Sequence, residues 1–364
     1  MGYIFKVLVL VTVCVCATTV CIASDLDKSL YCDMDYTLTV NDETHIDTAR
    51  VTSDPPKKLC ELAARGYEGS EADAMRIFET MGQAPSQLKR YQNIQEHYNG
   101  YELADDCRVN FLPSTFYYKK DREMSERYVF AAKQFSGFED PSNTTFFASG
   151  IDIDLESIFS TDLMPFADGV KETYVLLSAM GLDAGAAIRV EYWDTNMLTA
   201  NWNSDAVPAE RRDDYVWKEE DVCAVVDIPV FLNGVRLKPY GVGTPSGIVN
   251  CSSYVYAWIT SKQVFEVIAS NVRFTDVEEG KYGTLCSPET ALRQYESMLN
   301  RLLDVPDDML SIDYIQLEYN VSYQEKIGNF SPVYRLIPVW SIYVQGKPAP
   351  MMMVHAINGS EVLW

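Results

Sequence analysis

The sequence predicts an α+β protein built mainly on antiparallel sheet, with a few packed helices, and three observations carry that expectation. Strand-like stretches come in runs and do not alternate one for one with helices, which disfavours a parallel βαβ core. Segments near 70–82, 168–181 and 287–303 combine helical start and stop residues with apolar spacings of three and four. Hydrophobic residues make up 47% of the 364-residue chain and aromatics 12%, enough apolar area for two or three compact units.

In chain order, residues 1–24 read as an export signal, either cleaved or kept as a membrane anchor. Lys6 is the only charge before Asp25, residues 7–20 are apolar, and the small Ala23 and Ser24 follow. Lipid attachment at Cys21 fits poorly, because Thr18-Thr19-Val20 lacks the small residue wanted just before the cysteine. Residues 31–40 alternate, with Cys32, Met34, Tyr36, Leu38 and Val40 on one face, and turn through Asn41-Asp42-Glu43 into a partner strand at 44–52. Ser70 caps a short helix with Asp73 three residues on, Ala74, Ile77 and Phe78 form its apolar side, and Gly82 stops it. Residues 87–102 read as helical, 111–118 and 128–135 as strands, and 137–145 as a loop at a boundary.

Alternation resumes at 151–155. Asp168 is read as the cap of a helix over 169–180 closed by Gly181, 188–193 as a strand, and 196–212 as an exposed excursion. Residues 223–232 and 235–237 flank Asn233-Gly234, a type I′ hairpin signal. A loop at 242–249 precedes strands at 253–260, 263–269 and 272–277. Ser287-Pro288-Glu289 opens the last helix, where proline at the first position gives up no needed N–H. Its apolar face is Ala291, Leu292, Tyr295, Met298, Leu299, Leu302 and Leu303. Strands at 312–323, 334–344 and 351–363 complete a helix-plus-three-strand unit, the last closing on Asn358-Gly359. The chain thus divides into a signal (1–24), an N-terminal α+β unit (25–145), a central sheet unit (146–285) and a C-terminal unit (286–364).

Thirty basic residues against 52 acidic ones give a formal charge of −22, which repels nucleic acid and anionic lipid headgroups. Six cysteines follow the signal: Cys32, Cys60, Cys107, Cys223, Cys251 and Cys286. In an oxidising compartment they can pair completely, and as buried thiols they would be ordinary core residues. Asn143, Asn250, Asn320 and Asn358 begin glycosylation sequons, relevant only in a eukaryotic host.

No motif carries chemistry strongly. Ser86-Gln87-Leu88-Lys89 matches the Ser-x-x-Lys of penicillin-recognising enzymes, in which lysine eases deprotonation of a serine nucleophile. The supporting triplets are absent: Ser204-Asp205-Ala206 ends in alanine, and Lys281-Tyr282-Gly283 only imitates Lys-Thr-Gly. Asp152, Asp154 and Glu156 share a strand face without a calcium loop around them, and read as solvated. The Glu219-Glu220-Asp221 and Asp307-Asp308 runs read the same way. His45, His97 and His355 are scattered, His355 reading as a structural residue. Tyr254, Tyr256, Trp258, Tyr314, Tyr319, Tyr323, Tyr334, Trp340 and Tyr343 read mostly as sheet core, with any outward-facing members forming a platform for a protein or glycan. No catalytic, cofactor-binding or metal-ligating residue is assigned.

One resemblance adds to this reading. Ser287-Pro288-Glu289-Thr290-Ala291-Leu292, Leu317-Glu318-Tyr319, Leu336-Ile337-Pro338-Val339-Trp340 and the 355–362 segment resemble PepSY-type and YycH/YycI-like extracytoplasmic domains of bacteria. With Thr44-His45-Ile46-Asp47-Thr48-Ala49 and the 168–181 helix, the whole chain is similar to uncharacterised secreted or lipid-anchored proteins of gut Firmicutes. The resemblance implies a non-catalytic envelope module that binds or regulates a protein or cell-wall glycan, outside the cell or on its surface. It hands over no catalytic residue; no cofactor is expected, the acidic charge disfavours nucleic acid, and membrane contact is expected only through the N-terminus. The competing expectation is a serine hydrolase of wall or peptide substrates using Ser86 and Lys89.

Overall fold

The computed structural model describes residues 31–83, 88–93, 98–103, 107–132, 164–185, 189–204, 207–239, 248–324, 333–347 and 349–362. The export signal, Ser86, His97, Asn143 and the Asp152–Glu156 carboxylates lie outside them. The strands of the first half are β1 (Tyr31–Val40), β2 (Glu43–Thr52), β3 (Lys58–Leu59), β4 (Leu62–Gly66), β5 (Lys89–Asn93), β6 (Tyr98–Glu102), β7 (Arg108–Leu112), β8 (Thr115–Lys119), β9 (Asp183–Ala184) and β10 (Arg189–Trp193). There follow β11 (Cys223–Ile228), β12 (Val230–Leu232), β13 (Val235–Leu237), β14 (Ile248–Asn250), β15 (Tyr254–Thr260), β16 (Val264–Ser270), β17 (Phe274–Glu279), β18 (Gly283–Thr284), β19 (Ile312–Gln324), β20 (Val333–Val344) and β21 (Met352–His355). The helices are α1 (Glu71–Thr80), α2 (Arg122–Ala131), α3 (Ala167–Ala179), α4 (Thr195–Trp202) and α5 (Pro288–Leu299).

The protein is α+β with mainly antiparallel sheets. An 11-stranded sheet runs β17-β4-β20-β19-β13-β12-β9, with β2 and β14 also on β19, β1 on β2 and β21 on β20. An eight-stranded sheet runs β10-β11-β15-β16-β8-β7-β6-β5, and β18 pairs β3 alone. The parallel contacts are β13 and β2 against β19. The sheets cross the segment boundaries at 145 and 285: β1, β2 and β4 share the large sheet with β19 to β21, and β5 to β8 share the other with β15 and β16. One continuous core joins both sheets to residues of α1, α3 and α5. A second, smaller core lies on the far face of the eight-stranded sheet.

Strands β19, β20 and β21 pair in the order expected, and α5 packs on β20, β21 and β1. Ala291, Leu292, Tyr295 and Leu299 are its buried face. The helix is shorter than its apolar spacing predicts: it ends at Leu299, and Leu303 is fully exposed. Asn300 diverts the chain by accepting from Asn41 N (3.0 Å) and donating to Thr39 O (2.8 Å) at the β1–β2 turn. The last strand is also shorter, because the Asn358-Gly359 turn (Gly359 φ 70°) brings Glu361 back opposite Val354. Asn233 (φ 52°) and Gly234 (φ 74°) adopt the positive φ values their hairpin demands.

Four local expectations are overturned. The helix expected over 87–102 is replaced, among the described residues, by the antiparallel strands β5 and β6, in which Gly100 lies opposite Tyr91 and leaves room for its ring. Tyr128-Val129-Phe130 looks like strand by composition but belongs to α2, capped by Asp121, which accepts from Met124 N at 3.0 Å. Residues 196–202 are not an exposed excursion, since Asp194 caps α4 and Leu198 and Trp202 are buried, while Pro208, Ala209 and Glu210 beyond them are exposed as expected. At α3, Asp168 sits inside the first turn beside exposed Lys171 and does not cap; Phe166 holds that position without a side-chain cap. The six cysteines are thiols with no disulfide joining them; four are buried, Cys60, Cys107 and Cys251 in the larger core and Cys223 in the smaller one. Among the described residues no helix is long and apolar enough to cross a membrane.

The Ser70–Asp73 capping box is present and does more than cap. Asp73 accepts from Tyr67 (2.5 Å), Ser70 Oγ (2.7 Å) and Arg273 (3.3 Å), and Arg273 stacks on the Tyr67 ring at 3.7 Å. Burial pushes the Asp73 carboxyl up, but these donors outweigh it and hold it below the usual range. Asp73→Ala is therefore expected to cost about 2 kcal/mol in urea unfolding, above an ordinary cap, because Arg273 and the Tyr67 hydroxyl lose their acceptor.

Candidate functional site: two buried polar clusters

The sequence candidates do not converge. Lys89 starts the edge strand β5 and is exposed. His355 is buried and satisfied: Ile357 N donates to Nδ1 at 3.1 Å, which assigns the proton to Nε2, 3.1 Å from Glu61 Oε1. Glu61, raised by burial, is brought below the usual carboxylate range by Arg335 and His355. Asp221 departs from its solvated reading, being buried and accepting from Tyr215 (2.8 Å) and Lys218 N (2.9 Å). Asn320 is buried too, which closes its sequon to modification. Seven of the nine aromatics expected in the sheets are buried, with Tyr254 and Tyr323 half-buried. Among the described residues no group of three or more His, Cys, Asp or Glu gathers.

The first cluster lies on the large sheet. Residues 315, 317, 319 and 321 of β19 face the apolar core, so Gln316, Glu318, Asn320 and Ser322 share the other face, and this face is buried as well. Arg236 stands opposite Glu318 on β13, with Lys238 just beyond. Arg236 donates to Gln316 Oε1 (3.0 Å), Gln316 to Tyr31 (2.9 Å), Lys238 to Asn320 Oδ1 (3.2 Å), and Tyr343 to Glu318 Oε2 (2.8 Å). Burial lowers Lys238 to about 8, with Glu318 opposing the shift. Burial likewise raises Glu318, against Arg236, Ser341, Tyr343 and Lys238. The Ser341 hydroxyl stands near enough to favour the carboxylate but is not aligned for a hydrogen bond. The charges largely answer one another, as in a buried structural ion network.

The second cluster lies on the far face of the eight-stranded sheet, under α2 and α4, which pack on each other. Trp258 is opposite Glu266 in register, and Glu266 opposite Lys119. Tyr128 of α2 stacks on Phe265 (4.2 Å between centroids), Trp217 stands 5.2 Å from Tyr128 and 6.2 Å from Trp202, and Tyr254 stacks on Tyr256 at 4.5 Å. Glu266 is buried, its Oε1 3.0 Å from the half-buried Lys119 Nζ. Burial raises its carboxyl, and Lys119 and the neighbouring Ser125 hydroxyl oppose the rise. Of ten buried side-chain polar atoms without an aligned hydrogen bond among the described residues, six are here: both Glu266 oxygens, Ser125 Oγ, and Nε1 of Trp193, Trp217 and Trp258. Native interiors leave few such atoms; Lys119 and the Ser125 hydroxyl stand beside the Glu266 carboxylate and favour its charge, which leaves the three indole N–H groups as the concentration without an aligned acceptor.

Trp193, Trp217, Glu266 and the Arg236–Glu318 pair were not read from sequence. One sign was present: Glu266 is the sole charge in Val264–Ser270, a strand otherwise apolar on both faces.

No family profile and no curated protein matches the chain. Its fold is similar to the crystal structure, at 1.45 Å, of an uncharacterized protein from Eubacterium rectale, with a TM-score of 0.58 and 13% identity over 94% of this chain and 98% of that one. At that identity the likeness is one of fold.

Proposed function

We propose that the protein is an extracytoplasmic, non-catalytic binding module of the bacterial cell envelope, with the aromatic compartment on the eight-stranded sheet as its ligand site. The observation that carries this reading is the gathering of three indole N–H groups without an aligned acceptor, those of Trp193, Trp217 and Trp258, beside the buried Glu266–Lys119 pair within an aromatic cluster. The export-like N-terminus and the −22 charge support a place outside the cell and a partner other than nucleic acid.

The test is cosedimentation of the full chain with purified bacterial envelopes. Saturable binding that weakens in Trp258→Phe, with the envelope material recovered chemically unchanged, is the expected result. Absence of saturable binding would remove the reading. Labelling of Ser86 by a fluorophosphonate, lost in Ser86→Ala, would replace it with the hydrolase.

A further inference from the structure

The helices over the aromatic compartment spring from one end of the sheet. Strands β8 and β10 flank β11, β15 and β16, and both run out at the end where Trp193 stands opposite Cys223, Cys223 opposite Thr260 and Lys119 opposite Glu266. Lys120 and Asp121 lead from β8 into α2, and Asp194 alone leads from β10 into α4, both aspartates being extended caps (φ −148° and −80°). Val222 then carries the chain back into β11 at that same end. Hydrogen bonds make α2, α4 and residues 207–221 one piece. Asn201 Nδ2 donates to Ala131 O (3.0 Å), Trp202 Nε1 to Asp213 O (3.4 Å) and Tyr128 Oη to Asp221 O (2.6 Å), and Arg127 pairs with Asp213 at 2.5 Å. Helices of ten and eight residues do not persist singly, so they are held or released together. Against the sheet this piece lays Tyr128 on Phe265, and its buried residues belong to the smaller core, while the larger core anchors the strands from their other face. Its closure also takes Glu266 out of water, together with the indole N–H groups of Trp193, Trp217 and Trp258, which gain no aligned acceptor. Apolar burial thus favours the closed arrangement, and hydration of these groups opposes it.

We propose that α2, α4 and residues 207–221 form a lid that swings off the sheet as one unit about Asp121, Asp194 and Val222, uncovering Trp258, Glu266 and Cys223 while the strands stay paired. The lid gives the ligand site of the binding-module reading its way in, and in that role it rests on that reading; the movement itself rests on the packing alone.

Native-state amide hydrogen exchange of the full chain, read by mass spectrometry alongside iodoacetamide labelling of Cys223, tests it. Amides of α2 and α4 should exchange through one shared opening, about a hundredfold or more faster than those of β15 and β16. Cys223, buried in the smaller core, should be alkylated through the same opening. Asp121→Ala removes an exposed cap whose carboxylate accepts from Met124 N, and should speed both helices and the labelling about fivefold while β15 and β16 stay as they were. Helix amides and Cys223 that stay protected until β15 and β16 unfold would overturn the lid. Helix exchange with Cys223 unlabelled would mean fraying in place, and a response to Asp121→Ala in α2 without α4 would mean two separate helices; either outcome also overturns it. None of these measurements uses a ligand, so envelope cosedimentation decides the binding-module reading separately.

Discussion

Glu318→Gln is expected to destabilise the protein by about 3–5 kcal/mol, the cost of leaving a buried charge without its opposite. The substitution keeps the side chain's size and its capacity to accept from Tyr343, so it removes little besides charge. Glu318 is fully buried, and it is the carboxylate directly across from Arg236. Without it Arg236 loses that opposing charge and Lys238 has one fewer. Equilibrium urea unfolding measures the loss. Arg236→Met combined with Glu318→Gln should cost clearly less than the two single losses added together, because the second change removes the charge the first one stranded. Strict additivity, or a single-variant loss below about 1 kcal/mol, would mean that the two groups are solvated and uncoupled.

Lys238 makes stability rise with pH in a window where most domains show little change. Its ordinary value is 10.5 in the unfolded chain and about 8 in the folded one, lowered chiefly by burial. Between those values the unfolded chain holds more protons than the folded one, so deprotonation favours folding. Below pH 8 both states carry the ammonium and its burial cost is felt in full; above 10.5 neither does. The gain across the interval is on the order of 3 kcal/mol. The difference in unfolding free energy between the native protein and Lys238→Met should therefore shift steadily in favour of the native protein from pH 8 to 10, against the fall that the buried Cys223 and Cys251 thiols, raised by burial, impose on both. Glu318 acts in the opposite sense at lower pH. Its folded value is raised by burial, so its protonated form favours folding below the ordinary carboxylate value, and that contribution is lost as pH rises through the raised value. An equal slope in the native protein and Lys238→Met would show that the amine titrates normally in the fold.

Much of the architecture is legible in the chain because local rules set it. The Ser70–Asp73 cap, the Asn233-Gly234 hairpin and the α5–β19–β20–β21 order follow from residue spacing and turn chemistry. Misreadings fall where tertiary contact overrides composition. The Tyr128-Val129-Phe130 run favours strand, yet it becomes helix because Asp121 caps it and Tyr128 packs on Phe265 of a distant strand. Residues 195–202 look polar, and only their position over Trp217 and the sheet buries Leu198 and Trp202.

The sites divide the same way. Alternation along 312–323 determines that Gln316, Glu318 and Asn320 share one face, and by itself implies that water bathes it. The tertiary structure decides otherwise, setting Arg236 beside Glu318 from 82 residues away in sequence (318 − 236) and burying both, which turns ordinary surface charges into an interior network. Glu266, Lys119 and the tryptophans come together likewise only when β8, β15 and β16 pair beneath α2 and α4. The sequence by itself determined elements, caps and turns, because those are fixed by neighbours within a few residues. Which charges lose their water was decided only by the packed sheets, since desolvation depends on everything nearby in space and on almost nothing nearby in sequence.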